Sequence, residues 1–428
     1  MQPIWNEQIT MWHDLGLDIP IEEGTYWINN QVVKAYDSET GELCNLYRIK
    51  INDDLSMSYK PHKDFKKHNK KVFETWNQTA HRFAQRLDEL EADSIALMQD
   101  AMERYPDHEH IVLTSTGKDS TVTEHIAKIS GFLQNGQCVF NNTTLDVADT
   151  YKMVKANDYI ITNPTEGFYQ YIKRLNFVPT RFSRGCCTVF KEGNFIESFR
   201  DHEKLLIATG VRNSESPKRS GYEDYSHNPK WPEEWVSVLP VRKYQDEDIW
   251  LYILSRGLSF NPKYRKGYQR VGCAIACPYY TKTTWALDKY WYPTLYERWH
   301  NILDDDFVTG EKWTRLNCTQ EEYHRCWNGG PLRGEPTEEV VKEFAAHKGF
   351  EDVNLARQYF SKQCPMCDDV AKNKNIRQPE VIAMNLKMSG RQTNRFLCKK
   401  HLMAELGWTE EDWNRRLADF KRQECQLF

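Results

Sequence analysis

Between His110 and Ser130 the chain places Ser115-Thr116-Gly117-Lys118-Asp119-Ser120 directly after a short apolar run, His110-Ile111-Val112-Leu113-Thr114-Ser115. A helical stretch, Ser120 to Ser130, follows at once. A helix start leaves backbone N–H groups unpaired and concentrates the positive end of the dipole, an arrangement suited to a phosphate chain. Gly117 permits close approach, the hydroxyls of Ser115 and Ser120 supply further donors, and Lys118 adds a cation. A Walker A loop would need Gly where Val112 stands and Ser or Thr where Asp119 stands, so this is a phosphate loop of a different kind. The plain alternative is a strand-to-helix turn punctuated by Gly.

The 12 cysteines are the second source of chemistry. Cys44, Cys138, Cys318, Cys326 and Cys425 stand alone, whereas the other seven are grouped: Cys186-Cys187, Cys273 with Cys277, Cys364 with Cys367, and Cys398 followed by His401. In a reducing compartment such groups serve as metal ligands or redox centres more often than as disulfides, so they point to a metal or iron–sulfur centre. Cys364-x2-Cys367 and Cys398-x2-His401 supply four ligands of the types and spacing of a closed structural zinc site. Paired core cysteines with a stray histidine are the alternative. Between these knuckles, residues 372–400 hold Lys372, Lys374, Arg377, Lys387, Arg391, Arg395, Lys399 and Lys400 against Glu380 alone. That concentration suits phosphate backbones, although a solvated loop face has the same composition. A lesser run, Lys60 to Lys71, has six lysines against Asp64 and reads as the exposed side of a helix.

These groups sit in a chain of 428 residues with a formal net charge of −4. At roughly 100 to 200 residues per domain, two or three domains are expected. The balanced charge gives no global bias toward nucleic acid, so any polyanion site must be local. No apolar stretch of about 18 residues exists to span a membrane, and Met1-Gln2-Pro3-Ile4-Trp5-Asn6-Glu7 lacks the basic and apolar regions of a secretory signal. A cytoplasmic protein is expected.

The elements that must position these residues follow from periodicity. Residues 1–105 read as an accessory region. Tyr26-Trp27-Ile28-Asn29-Asn30-Gln31-Val32-Val33, a Ser38-Glu39-Thr40-Gly41 turn and Leu46 to Ile51 form a hairpin, with Leu55 to Tyr59 completing a meander. Phe73 to Tyr105 then has helical spacing, stopped by Pro106. Residues 106–305 alternate strands (at His110, Cys138, Tyr159 and Leu205) with helices (Ser120 to Ser130, Val147 to Lys155), which argues for an α/β domain with a mainly parallel sheet covered on both faces. Ligands of such sheets bind at the carboxyl ends of the strands. Residues 306–360 read as a helical linker and 361–428 as a basic Cys/His module.

Ser-x-Gly-Lys-Asp-Ser after a strand resembles the PP-loop of N-type ATP pyrophosphatases. Four further segments are similar to the phosphoadenosine phosphosulfate (PAPS) reductase-like branch of that superfamily. They are Asn142-Thr143-Thr144-Leu145-Asp146 with Asp149-Thr150-Tyr151; Arg184-Gly185-Cys186-Cys187-Thr188-Val189-Phe190-Lys191; Gly210-Val211-Arg212-Asn213-Ser214-Glu215-Ser216-Pro217-Lys218-Arg219; and Asp246-Glu247-Asp248-Ile249-Trp250 with Asn261-Pro262-x-Tyr264 and Gly267-Tyr268-x-Arg270-x-Gly272-Cys273. The resemblance covers less than half of the chain.

The resemblance implies an adenine nucleotide alpha hydrolase-like fold and a nucleotide site on Ser115, Thr116, Gly117, Lys118, Asp119, Ser120 and Asn142. Cleaving ATP between the α and β phosphates requires cations around both products, and Lys191, Arg212 and Arg219 join Lys118 in that role. Magnesium is expected, with Asp119 as its support. In the family a Cys-Cys pair and a Cys-x2-Cys pair hold a 4Fe-4S cluster, which assigns Cys186, Cys187, Cys273 and Cys277 here. The second pair is Cys-x3-Cys in this chain, and buried thiols or sulfur-relay cysteines remain open readings.

Three functions follow as expectations. The first is an ATP pyrophosphatase that adenylylates a substrate oxygen for sulfur transfer. Its acceptor would be nucleic acid, tRNA or DNA, and a sulfur donor protein would assist. The second is a sulfonucleotide reductase whose nucleophile is Cys425, in a tail, Glu424-Cys425-Gln426-Leu427-Phe428, that lacks the Gly and His of the reductase motif. The third is a nucleic-acid-binding regulator that keeps only the nucleotide site. A homodimer is compatible with each.

Overall fold

The computed structural model describes the chain except residues 177, 181–184, 216–218, 274, 310–318, 329–337, 339–340, 343–344, 347–348, 361–378, 390–396 and 423–428. The described residues divide into two compact units. The first comprises 1–168, 187–274 and 282–292, the second 169–186, 275–281 and 293–428.

Two sheets organise the first unit. The N-terminal one is antiparallel, with strands β1 (Gln2–Pro3), β2 (Trp27–Asn29), β3 (Val32–Tyr36), β4 (Leu43–Ile51) and β5 (Met57–Pro61) in spatial order β1-β2-β3-β4-β5. The apolar run Tyr26 to Val33, expected as one strand, is two. Asn30 and Gln31 both take positive φ (47° and 63°), the two-residue hairpin turn that pairs Asn29 with Val32. Asn tolerates that conformation because its short polar side chain can bond locally. One face of this sheet is buried by Ile28, Val33, Ala35, Cys44, Leu46 and Ile49, packed with Met11 and Trp12 of α1 (Asn6–Asp14). Arg48, Lys50 and Lys60 point to the exposed side.

The second sheet contains β6 (Glu109–Thr114), β7 (Gly136–Asn141), β8 (Ile160–Thr162), β9 (Leu205–Thr209), β10 (Tyr225–Ser226) and β11 (Trp235–Val238), in order β10-β11-β9-β6-β7-β8. All pairs are parallel except β10 with β11. Alternation along β9 explains why it is covered on both sides. Leu206 and Ala208 join Val112, Val122 and Ile126 on one face, while Leu205 and Ile207 join Ile111, Val139 and Phe195 on the other. From β6 the chain winds to β7 and β8 on one side, then returns to β9 on the other. The order therefore reverses between β6 and β9, and beyond their carboxyl ends is where such sheets bind ligands.

Residues 1–105 belong to the first unit. Helices α2 (Phe65–His68), α3 (Trp76–Arg82) and α4 (Ala84–Arg104) follow β5, and Leu87, Leu90, Met98 and Ala101 of α4 share one core with Val112 and Trp250. Trp5 packs edge-on against Trp76 at 4.6 Å and lies 6.5 Å from Trp250. Arg86 adds a two-pronged bond to Asp248, 2.7 Å on each oxygen. Helical periodicity shows that α4 has an apolar face but not what the face covers.

The second unit begins before the expected linker, at residue 293 in its longest segment, with the helix Pro293–Thr309. Its C-terminal core is built by Val381, Met384, Met388, Leu397, Cys398, Leu402, Leu406 and Trp413. The buried Asn385 amide donates to the carbonyls of Val381 and Leu397 and accepts from Leu397 N. Among the described residues no helix is long and apolar enough to cross a membrane.

Candidate nucleotide site

The loop Ser115–Gly117 joins β6 to α5 (Lys118–Ile129) at the strand-order reversal. It turns by placing Thr116 at φ 56°, a region that costs a β-branched residue energy, and two bonds hold it there. Thr116 N donates to Thr114 Oγ1 at 3.1 Å, and Asn261 Nδ2 donates to Thr116 Oγ1 at 2.7 Å. The same Asn261 amide reaches Thr150 Oγ1 at 3.0 Å, tying the loop to α6 (Ala148–Ala156). Ser120 closes the turn from inside: its hydroxyl donates to Gly117 O at 2.9 Å and accepts from Ser115 N at 3.3 Å. Tyr264 OH, fully buried, accepts from Lys118 N at 2.9 Å.

After these bonds, the amide N–H groups of Gly117, Asp119 and Ser120 have no partner among the described residues. Gly117 and Ser120 are buried. Buried amide donors are almost always paired, so three together at a helix start form an anion cradle. Space is kept by Gly210, just past β9. A Cβ there would stand 2.9 Å from Asp119 C and Ser120 N, inside the contact limit. This is a physical reason for glycine at the head of the Gly210 to Arg219 segment.

Beside the cradle lies a compact charge cluster. Lys118 Nζ pairs with Asp119 Oδ2 at 2.8 Å and Asp246 Oδ1 at 3.1 Å. Arg212 Nε pairs with Asp119 Oδ1 at 2.5 Å and its Nη2 with Asp246 Oδ1 at 2.6 Å, while Nη1 donates to Ser214 Oγ at 2.9 Å. The Arg212 side chain is 4% exposed and all three of its nitrogens are engaged. Burial pulls the Lys118 ammonium down, but Asp119 leads the opposing charges and its pKa lies above the ordinary lysine value. Burial pushes the Asp246 carboxyl up, yet Lys118 and Arg212 outweigh it and hold it far below the usual carboxylate range. Two side-chain cations, with the Met1 ammonium 3.3 Å from Asp246 Oδ2, thus face two carboxylates.

A second group lies at the ends of β7 and β8. Asn142 accepts from Tyr151 OH and Thr144 N through Oδ1, both at 2.8 Å, and donates to Asn163 Oδ1 at 2.8 Å. Asp146 accepts from Thr143 Oγ1 at 2.7 Å, and burial raises its pKa against the pull of Lys263 and Lys191. Cys273 adds to the rise of the Tyr151 pKa, which burial pushes to about 12.

The structure brings Ser115, Thr116, Gly117, Lys118, Asp119, Ser120 and Arg212 together. Asn142 is linked to them through α6, by Tyr151 and Thr150. Lys191 stands exposed with its backbone carbonyl accepting from Asn141 Nδ2. The half-exposed Arg219 pairs with Glu215. Reading from sequence gave no role to Asp246, Asn261, Lys263 or Tyr264. All four lie in segments quoted for the resemblance, yet nothing in one sequence says that Tyr264 closes on Lys118 or that Lys263 is buried over the Tyr268 ring at 4.6 Å.

No group of three or more His, Cys, Asp or Glu among the described residues is arranged to hold a metal ion. Cys186, Cys187, Cys273 and Cys277, expected to hold an iron–sulfur cluster, are all half-buried. Each pair is divided between the units, Cys187 and Cys273 belonging to the first, Cys186 and Cys277 to the second. Cys364, Cys367 and Cys425, with Lys372, Lys374, Arg377, Arg391 and Arg395 of the basic 372–400 segment, lie outside the described residues. Cys398 Sγ and His401 Nδ1 stand 3.2 Å apart, close to the roughly 3.5 Å that two ligands of one tetrahedral zinc would keep.

Residues 109–278 match the model of the phosphoadenosine phosphosulfate reductase domain. The chain is 25% identical over 251 residues to an uncharacterized protein of Methanocaldococcus jannaschii, covering 55% of this chain and 60% of that protein. It is 25% identical over 215 residues to the adenosine 5'-phosphosulfate reductase of Bacillus pumilus, covering 47% of this chain and 87% of the reductase. Among solved structures, the phosphoadenylyl-sulfate reductase of Candida auris is 14% identical with a TM-score of 0.35, over 44% of this chain and 94% of that one.

Proposed function

We propose that this chain, whose residues 109–278 are a domain of the phosphoadenosine phosphosulfate reductase family, cleaves ATP to AMP and pyrophosphate and adenylylates a substrate oxygen for sulfur transfer. The observation that carries the reading is the cradle of three unbonded amides at Gly117, Asp119 and Ser120, at the sheet's switch point and beside Lys118. A substrate oxygen attacks the α-phosphorus, the bond from that phosphorus to the bridging oxygen breaks, and pyrophosphate leaves with the electron pair. The amides and Lys118 stabilise the charge that develops on the departing group. A sulfur nucleophile from a donor protein then displaces AMP, so the oxygen departs with the nucleotide.

Arg212 acts in this reading as a positioning residue, because its nitrogens already hold Asp119, Asp246 and Ser214. Since Asp119 and Asp246 offset most of the positive charge of Lys118, Arg212 and the Met1 ammonium, a triphosphate needs further positive charge. Magnesium would supply that charge, and Asp119 is the carboxylate that would support it. Lys191 and Arg219 are assigned to the same phosphates. Zinc, held by Cys364, Cys367, Cys398 and His401, would stabilise the C-terminal core, and the basic 372–400 segment would contact a nucleic-acid acceptor. Support for zinc is the 3.2 Å approach of Cys398 to His401.

Pyrophosphate release from ATP and magnesium, measured with and without tRNA or DNA, tests the reading. Release is expected, with stimulation by the acceptor. A second reading is favoured by the match across 87% of the Bacillus pumilus reductase: reduction of a sulfonucleotide with Cys425 as nucleophile. No pyrophosphate, together with sulfite from a sulfonucleotide and thioredoxin that vanishes in Cys425→Ser, would replace the first reading with the second.

A further inference from the structure

The lysine-rich stretch 60–71 is not one face of a helix. Lys60 lies on the outer side of β5, α2 is a single turn, Phe65–His68, and Lys63, Lys66, Lys67 and Lys70 stand exposed along it and beside it. The neighbouring β4 adds Arg48 and Lys50 on the same outer face, with Arg48 directly opposite Lys60 in the register. Like charges facing each other across an antiparallel pair destabilise it. Nothing among the described residues offsets that cost. Among the described residues Arg48, Lys50, Lys60, Lys63, Lys66 and Lys70 make no ion pair, whereas Lys67 pairs with Asp64 and Lys71 with Asp37. The acidic residues of the β4–β5 turn are engaged elsewhere, Asp54 with Ser56 and Asp53 with Lys282.

Lysine on an edge strand can guard against strand-to-strand aggregation, and β5 is an edge. That accounts for Lys60. It does not account for Arg48 and Lys50 on the interior strand β4, nor for the lysines that follow β5.

The same sheet is fastened to the nucleotide site at its opposite edge. Gln2 of β1 donates to Gly267 O, and Arg265 pairs with Glu7 of α1 at 2.6 Å, so the segment carrying Tyr264 grips both the phosphate loop and the sheet. Three strand spacings of about 4.8 Å separate β1 from β4, which puts the basic face about 15 Å from that anchor.

We propose that the outer face of β4, β5 and α2 binds the phosphodiester backbone of a nucleic acid, with Arg48, Lys50, Lys60, Lys63, Lys66 and Lys70 as its phosphate contacts. The inference rests on the nucleic-acid acceptor of the proposed function and places a contact surface for it in the first unit.

The test is binding of fluorescein-labelled tRNA to the full chain by anisotropy across a salt series, without ATP. The variant carries Arg48→Glu, Lys60→Glu, Lys63→Glu and Lys66→Glu together. A second variant with Lys60→Arg, Lys63→Arg and Lys66→Arg keeps the charge, and thermal unfolding checks that both are folded. The reversal variant should bind at least tenfold more weakly, with a salt slope shallower by about 3, since each neutralised phosphate of a single strand contributes about 0.7. The Lys→Arg variant should bind like the parent. Should the charge reversal misfold, acetylation of the exposed lysines on the folded parent gives the same comparison. Equal affinity and slope for parent and reversal variant, or no binding by the parent, overturns the proposal. So does equal, patch-dependent binding to phosphatidylserine vesicles, which would mark a general anionic-surface contact. Because no ATP is present, absent pyrophosphate release leaves this result standing, and intact release with unchanged tRNA binding refutes the surface alone.

Discussion

Two cationic regions of the first unit use their charges in opposite ways. At the nucleotide site Lys118 and Arg212 are buried and each meets Asp119 and Asp246 within 3.1 Å. On the outer face of β4 and β5 the cations are exposed and make no ion pair among the described residues. Buried charges survive only when paired, and once paired their geometry is held; their value lies in where they put the loop. Exposed charges repel one another mildly, are screened by salt, and remain available to a polyanion. The first set should respond to substitution as architecture does, the second as an adjustable affinity.

The largest effect that could break this contrast is at Arg212. Arg212→Ala takes one of two side-chain cations away from Asp119 and the half-exposed Asp246, leaving Lys118 alone between them, and should lower stability by about 2–3 kcal/mol as well as abolish turnover. Thermal unfolding and ATP turnover read the two losses together, and an active variant of ordinary stability would mean that the cluster is not what sets the loop. Gly210→Ala comes next. The added methyl must displace the Asp119–Ser120 backbone, with an expected cost of about 1–3 kcal/mol and a raised KM for ATP. An unchanged KM would show that the site has room to spare.

Glu247, beside Asp246, sharpens the comparison through pH. Burial, then Asp248, pushes its pKa up to about 7, and its Oε1 has no hydrogen-bond partner. A carboxyl whose folded pKa is raised binds more protons folded than unfolded, so it costs stability as pH rises from about 4.5 to 7. Glu247→Gln should therefore stabilise the chain by about 1–2 kcal/mol at pH 8 and hardly at all at pH 4. Asp246 has the reverse sign. Its depressed pKa contributes stability above the ordinary carboxylate range that is lost on acidification. Denaturant titrations at pH 8, pH 4 and pH 2 separate the two, because the Asp246 contribution is lost only below about pH 4. The smallest effect is expected at Tyr264→Phe, which removes the acceptor for Lys118 N and should cost about 1 kcal/mol, with a modest rise in KM.

Much of this architecture was legible before any coordinates. The strands at His110, Cys138, Tyr159 and Leu205 and the helix after Gly117 follow from apolar runs and spacing, and all are present. Local pattern is informative there because each element is short and bounded by turn residues. The split at Asn30-Gln31 was hidden, since an Asn can sit in a strand or in a left-handed turn and only pairing decides. Strand β11 was hidden as well. Its four buried residues, Trp235–Val238, are too few to show a period. At the site, the loop was readable because sequence neighbours make it. Asp246 and Tyr264 reach Lys118 across more than a hundred residues, and no local pattern encodes a contact of that length.

The second unit is assembled from three stretches of chain, 169–186, 275–281 and 293–428. The backbone passes from one unit to the other five times. A C-terminal truncation therefore cannot remove this unit cleanly, because two of its pieces would stay behind as loops of the first. Grafting has the same difficulty in reverse. The two units are inseparable as genetic parts even though each has a core of its own, and any history in which one was simply appended to the other must also explain the two internal insertions.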